Sequence, residues 1–322
     1  MIDRRTLLAG LTALPLLGSA ACAAQTRQPA AAAASRLLTR PIANREVPVI
    51  GIGTARRFQG ASAEEQLAPL RATIARFVEL GGRLIDTAPS YGDAETVIGR
   101  LVEELGVRDR LFLATKVAGA NAAEGRVQVE QSFRNLRTGV IDLIALHNQQ
   151  DEAAKLAMLR EYKAQGRVRA IGASISSRAG FAPAGSAIPS SSEQYAPFEA
   201  MMRRERLDVI QVDYAIDNRG AAERILPLAQ EQGMAVMVNL PFGRGRLFQE
   251  TQGRPLPDWA AEIGASSWAQ IFLKYIVSHP ARPIAIPGTA QARYVDDNLG
   301  AARGPMPDAA MRRRMEAYID AL

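Results

Sequence analysis

Beyond residue 40 the sequence alternates, eight times over, between a short apolar run and a longer stretch of helical periodicity. The apolar runs fall at 49–54, 83–87, 111–117, 141–147, 168–174, 209–214, 235–240 and 283–287. The helical stretches fall at 63–80, 94–105, 126–137, 152–165, 193–206, 221–232, 267–278 and 292–302, with a last one at 308–321. Several of them stop at glycine, as at Gly106, Gly166 and Gly233, before the next apolar run begins. Runs such as Leu143-Ile144-Ala145-Leu146 are apolar without a break, the pattern of parallel strands covered on both faces. Eight strand–helix units in about 280 residues predict an α/β chain, a single (β/α)8 TIM barrel. The rival is a doubly wound sheet, which wants a glycine-rich phosphate loop after its first strand. Gly51-Ile52-Gly53-Thr54-Ala55-Arg56 has no third glycine and no helix start beside it.

Composition removes several function classes. The chain has one cysteine, Cys22, and two histidines, His147 and His279, so no intramolecular disulfide and no cysteine-built zinc site can form, and no metal centre is expected. The net charge of +6 suggests a polyanion partner until it is located. Residues 1–40 hold five arginines against one acid, which leaves about +2 on the rest, mixed with acids, so nucleic-acid binding is not expected.

In a barrel of this kind the chemistry sits at the C-terminal ends of the strands. The second run ends in Asp86, the third in Lys116 and the fourth in His147. Adjacent strands lie about 4.8 Å apart, so polar groups at equal heights on consecutive strands converge. Tyr91, five residues past Asp86, can fold back over the same opening. Singly, each has an ordinary explanation as a cap, a solvated lysine or a core histidine. Together they require four coincidences at one mouth. Lysine is also scarce here, four among 39 basic residues, and it suits a site because its pKa shifts readily.

With these residues in place, the chain resembles the aldo-keto reductase superfamily over residues 45–300. Asp86, Tyr91, Lys116 and His147 match the family's catalytic tetrad in order, spacing and local motif. The resemblance implies reduction of an aldehyde, ketone or sugar carbonyl, with NADPH as cofactor and NADH as the alternative. It makes Tyr91 the general acid and Lys116 the cation that lowers its pKa. Asp86 would hold Lys116, and His147 would hydrogen-bond the carbonyl oxygen. Ile286-Pro287-Gly288-Thr289, with Arg293, Asp297 and Asn298 beyond it, is similar to the family's site for the adenosine phosphate. Ser174 and Gln211 match the positions that hold the nicotinamide carboxamide. Asn239, Leu240, Phe242, Gly243 and Arg244 fall on the segment that lines the rest of the nucleotide. Three positions depart from the pattern. Ile175 follows Ser174 where an asparagine is usual. Asn239 replaces the tyrosine that stacks on nicotinamide, a loss of about 1 kcal/mol. Tyr294 stands where an arginine is expected to grip a 2′-phosphate, and Arg293 precedes it. Ser, Ala, Gly and Pro crowd 176–197, which reads as a loop near the mouth. A cofactor-binding regulatory module with little turnover is the second class the resemblance admits.

The first residues carry a separate message. Arg4-Arg5, an apolar run to Ala21 and small residues at Ala21 and Ala23 resemble a twin-arginine signal peptide, placed at 1–23. Residues 24–40, rich in Ala, Pro and Gln, read as a tether, and 41–322 as the barrel. The twin-arginine export machinery is thus an expected partner, the periplasm the expected location, and no transmembrane span is expected in the mature chain. Lipidation at Cys22 is the second choice, because Ser19-Ala20-Ala21 is a poor lipobox.

Overall fold

A computed structural model describes residues 36–147, 150–176 and 191–322. The expected signal peptide, Cys22 and most of the tether lie outside the described residues, as do 177–190 of the expected mouth loop. After a hairpin of β1 (Thr39–Ile42) and β2 (Arg45–Pro48), the strands of the main sheet are β3 (Ile52–Gly53), β4 (Leu84–Asp86), β5 (Phe112–Val117), β6 (Ile141–Leu146), β7 (Val168–Ser174), β8 (Val209–Asp213), β9 (Ala235–Asn239) and β10 (Ile284–Ala285). All neighbours are parallel and run in sequence order. Parallel bridges from Ile50 to Ala285 and from Gly53 to Gly288 join the first strand to the last and close the (β/α)8 barrel. Gly53 is required there: a Cβ would stand 2.7 Å from the Ile286 carbonyl oxygen.

The helices are α1 (Glu64–Glu79), α2 (Ala94–Leu105), α3 (Ala122–Asn135), α4 (Glu152–Ala164), α5 (Ser191–Arg204), α6 (Ile225–Glu231), α7 (Arg246–Glu250), α8 (Trp268–Val277), α9 (Ala292–Gly300) and α10 (Ala309–Asp320). No helix among the described residues is long and apolar enough to cross a membrane. β5 and β6 are buried along their whole length, as unbroken apolar runs between barrel interior and helix layer require. Helix α3 starts four residues ahead of its expected place because Asn121 accepts the Glu124 N–H and caps it.

Two expectations change. The tether does not reach 40, because β1 begins at Thr39. The hairpin carries two buried apolar side chains, Ile42 and Val47, too few to show as a pattern. They pack on Leu84, Phe112, Leu143, Val209, Met237 and Ile284, which point inward from the starts of their strands, so the hairpin plugs the N-terminal end of the barrel. The loop expected at 176–197 is shorter, because α5 begins at Ser191 and runs through Pro197. Tyr195, Phe198, Met201 and Met202 recur at helical spacing and are buried; that apolar stripe outweighs the polar Ser-Ser-Glu start and the proline.

Candidate active site

Side chains alternate along a strand. Leu84 points into the barrel, so Asp86 does too; Phe112 and Ala114 do, so Lys116 follows. The Lys116 ammonium sits 2.9 and 2.8 Å from the two Asp86 carboxylate oxygens and 2.8 Å from the Thr87 carbonyl oxygen. Their side chains are 2% and 4% exposed, so each charge depends on the other. Burial opposes the charge on Lys116, yet Asp86 and Tyr91 overcome it and hold the ammonium above its usual range. Across the barrel, the Gln211 side-chain amide reaches to 3.4 Å from Asp86. Thr54 ties the loop after β3 to the same place: its hydroxyl donates to the Asp86 carbonyl oxygen at 2.9 Å.

Tyr91 closes over this pair. The Lys116 ammonium is 5.3 Å from the centre of its ring. The His147 ring stands edge-on to Tyr91, centroids 5.9 Å apart at 86°. The structure therefore brings all four tetrad residues together. Burial pushes the Tyr91 hydroxyl above its usual range; Lys116 pulls it down, as expected, but burial outweighs that pull. His147 is pushed down to about 4, by burial first and then by Lys116, and is neutral at pH 7. Its Nδ1 lies 3.3 Å from the Ser90 hydroxyl, a neighbour that sequence reading missed because one serine in a loop carries no signal.

The residues expected to hold nucleotide divide into two groups. Ser174 and Asn239 end β7 and β9, and Gln211 lies midway along β8. The Ser174 hydroxyl donates to the Leu146 carbonyl oxygen at 2.9 Å. Gln211 Oε1 and Asn239 Oδ1 are buried acceptors with no partner among the described residues. A buried acceptor left unpaired costs about 1–3 kcal/mol, and a carboxamide N–H is the donor it lacks. These residues fit a nicotinamide. Thr289 and Asn298 also hold together, 3.0 Å apart, just past Gly288. Leu240, Gly243 and Arg244 all have positive φ, so the segment after β9 is a tight, strained turn. Asp217, on the loop after β8, holds that turn through Arg246 at 2.7 Å.

The second group points elsewhere. Both Asp297 oxygens accept from the Ser267 hydroxyl, at 2.8 and 3.0 Å, and Gln270 adds 2.9 Å. Asp297 thus anchors the start of α8 rather than a ligand. Phe242 packs on Phe248 and Phe272, at 4.8 and 6.4 Å between centroids. Arg293 is exposed, donates to Gln291 at 3.0 Å and lies over the Tyr294 ring at 4.8 Å.

A parallel barrel whose mouth sets a tyrosine and a histidine over a buried lysine–aspartate pair defines a carbonyl oxidoreductase. Residues 49–319 match the aldo/keto reductase family, and the chain belongs to it. It is 30% identical to the methylglyoxal reductase YeaE of Escherichia coli over 283 residues, 84% of this chain and 91% of the relative. An NADH-specific methylglyoxal reductase of the same organism is 27% identical, over 54% of this chain and 57% of the relative. Among solved structures, an aldo/keto reductase from Klebsiella pneumoniae in complex with NADP and acetate superimposes with a TM-score of 0.70 at 26% identity, over 88% of this chain and 95% of that one. Another from the same organism, in complex with NADPH, gives 0.72 at 24% over the same shares. The chain is an NAD(P)H-dependent oxidoreductase that reduces a carbonyl group.

Proposed function

We propose that Tyr91 is the proton donor of this reductase, with Lys116, Asp86 and His147 as its supports. The observation that carries the reading is the buried Lys116–Asp86 pair placed beneath the Tyr91 ring. The nicotinamide, when bound, supplies hydride to the carbonyl carbon. Negative charge then grows on the carbonyl oxygen, and Tyr91 meets it with its proton. Because burial keeps that hydroxyl protonated, the acid is fully loaded at neutral pH. Lys116 acts in the transition state, where its fixed charge offsets the phenolate as it forms. Asp86 keeps the ammonium charged and aimed. A Ser90 hydroxyl donating to Nδ1 leaves the His147 proton on Nε2, free to hydrogen-bond the carbonyl oxygen. Gln211, Asn239 and Ser174 hold the carboxamide; Gly288, Thr289 and Asn298 take the adenosine side.

The two relatives named for methylglyoxal point to a small, reactive dicarbonyl as first substrate. NADPH oxidation with methylglyoxal tests this, in wild type and Tyr91→Phe. A loss of about 10²–10⁴-fold in kcat, with unchanged thermal unfolding, is expected for a missing general acid. Retention of more than a tenth of the rate would remove Tyr91 from that role.

We infer further that the chain is exported folded, by the twin-arginine route. Arg4-Arg5 ahead of an apolar run and a small-residue end support this, as does a barrel built around a nucleotide. Replacing Arg4-Arg5 with a lysine pair is expected to leave the protein in the cytoplasm. Export unaffected by that change would overturn the reading, and a mature chain lipidated at Cys22 would replace a soluble periplasmic form with an anchored one.

A further inference from the structure

Lys116 is fixed within β5 and by both Asp86 oxygens, whereas Tyr91 lies on a loop, its ring centre 5.3 Å from the ammonium. That loop runs straight into α2. The Tyr91 N–H donates to the Ala88 carbonyl oxygen at 3.0 Å, and the Ala94 N–H donates to the Tyr91 carbonyl oxygen at 3.2 Å. Wherever the start of α2 sits, the tyrosine backbone follows. Asp93, just ahead of the helix, does not cap it; its side chain accepts the Gly60 N–H at 2.6 Å, in the loop after β3.

Glu95, in the first turn of α2, is 2% exposed. A carboxyl group at that depth needs hydrogen-bond donors. The Thr115 hydroxyl donates to its Oε1 at 2.6 Å, and the Asn135 amide donates to its Oε2 at 3.2 Å. Thr115 stands immediately before Lys116 on β5. Ala114 points into the barrel and Lys116 with it, so Thr115 points out, into the layer where α2 lies. Asn135 is the last residue of α3. One turn further along α2, a side chain at Gly99 would run into the Asn135 carbonyl oxygen, so the two helices are in close contact on the face that carries Glu95. Glu95 therefore joins three elements at one buried point: the helix that follows Tyr91, the strand that carries Lys116 and the end of α3.

We propose that Glu95 is a positioning residue for proton transfer: through Thr115 it fixes the start of α2 against β5, and so sets the distance between Tyr91 and Lys116. The inference rests on the reading of Tyr91 as proton donor and adds to it a residue outside the tetrad. The path through this contact is short. It runs from Tyr91 along the loop to Glu95, across one hydrogen bond to Thr115, and on to the next residue, Lys116. The attraction between the ammonium and a forming phenolate weakens as the two separate, so a loosened link costs the catalytic step. It leaves substrate and nucleotide binding alone.

Thr115→Val cuts the link with a side chain of nearly the same shape, Thr115→Ser restores the hydroxyl, and Glu95→Ala cuts the link from the other end. Circular dichroism and thermal unfolding establish that each is folded. Methylglyoxal reduction by the purified protein is then followed against pH, in H2O and in D2O, beside NADPH titration. For Thr115→Val, kcat is expected to fall by at least about fivefold, with KM and the NADPH dissociation constant within about twofold of wild type. The solvent isotope effect is expected to grow, since proton transfer becomes more limiting. The loss of rate at high pH, where the tyrosine gives up its proton, is expected to move upward, because Lys116 draws the Tyr91 hydroxyl down and a looser Lys116 draws it less. Thr115→Ser is expected to recover most of the rate, and Thr115→Val combined with Glu95→Ala to fall no further than either change alone. A smaller loss in Thr115→Val, or an unmoved high-pH limb, overturns the proposal even where the unfolding temperature drops, because Glu95 would then serve packing alone. A loss confined to KM or to nucleotide affinity overturns it too, as does a Thr115→Ser protein as slow as Thr115→Val. Failure of the Tyr91 reading is distinct from all of these, since it shows as retained turnover in Tyr91→Phe.

Discussion

Two of the carboxylates that this barrel shuts off from water are used in opposite ways. Asp142 lies at the floor, near the start of β6, with no exposure. Asp86 lies at the mouth, at the end of β4, 3% exposed. Asp142 meets Arg45 at 2.8 Å, Arg108 at 2.9 Å and Arg169 at 3.2 Å, and accepts the Leu113 N–H at 2.9 Å. Asp86 has Lys116 and a long contact from Gln211. The floor carboxylate is over-supplied with forked, permanently charged donors that tie the hairpin, the turn before β5 and strands β6 and β7 together. The mouth carboxylate holds one compact ammonium, which remains able to act on a third group, Tyr91. Burial alone therefore does not mark a catalytic carboxylate. The nature of its partner does, together with the direction in which that partner still faces.

The comparison breaks most directly at the floor. Asp142→Asn leaves three guanidinium groups without a counter-charge. Removing one partner of a buried pair costs about 3–5 kcal/mol. The guanidiniums keep between 20% and 49% exposure, so the expected loss in urea unfolding is at the lower end, about 3 kcal/mol. Rate per folded molecule and nucleotide affinity are expected to stay at wild-type values. A fall in kcat at unchanged stability would show that the floor reaches the mouth after all, and the division of labour would have to be abandoned.

The mouth was far more legible in the sequence than the floor, and the reason is physical. Chemistry at a barrel mouth needs particular side chains at strand ends, so Asp86, Lys116 and His147 appear as polar punctuation after apolar runs. Floor closure needs only two apolar residues and a turn, and many sequences supply those. Ile42 and Val47 stand among Arg, Pro, Asn and Glu and show no period. Asp142 is a single acid inside an apolar run, and its partners come from as far away as Arg45, 97 positions earlier. Within the site, what escaped was anything set by three-dimensional competition. The direction of the Tyr91 shift depends on how far burial outweighs a lysine, and spacing does not encode that balance. Asp297 looked like a ligand from its place beside Asn298, yet a helix turn of 100° per residue sends the two side chains to different neighbours.

A smaller effect sharpens the comparison through the two histidines. Both are pushed down to about 4 by burial, with Lys116 adding at His147 and Arg312 at His279. His279 lies just past α8, edge-on to the Tyr214 ring at 5.5 Å. A depressed histidine pKa favours the unfolded chain in acid, because that chain takes a proton near pH 6.5 that the folded one refuses until about pH 4. Stability therefore holds above pH 6.5 and falls as pH drops toward 4. The linkage gives at most about 3 kcal/mol for each ring, and partial solvent access lowers this to about 1–2 kcal/mol. His279→Asn is expected to flatten the fall in unfolding temperature between pH 7 and 4.5 while leaving turnover untouched. His147→Asn is expected to flatten it as well and to cut carbonyl reduction. Wild-type kcat should show no break near pH 6.5, since His147 is neutral on both sides of it. A break there that disappears in His147→Asn would mean that the ring works as imidazolium, and the mouth would then hold two cations beneath its tyrosine rather than one.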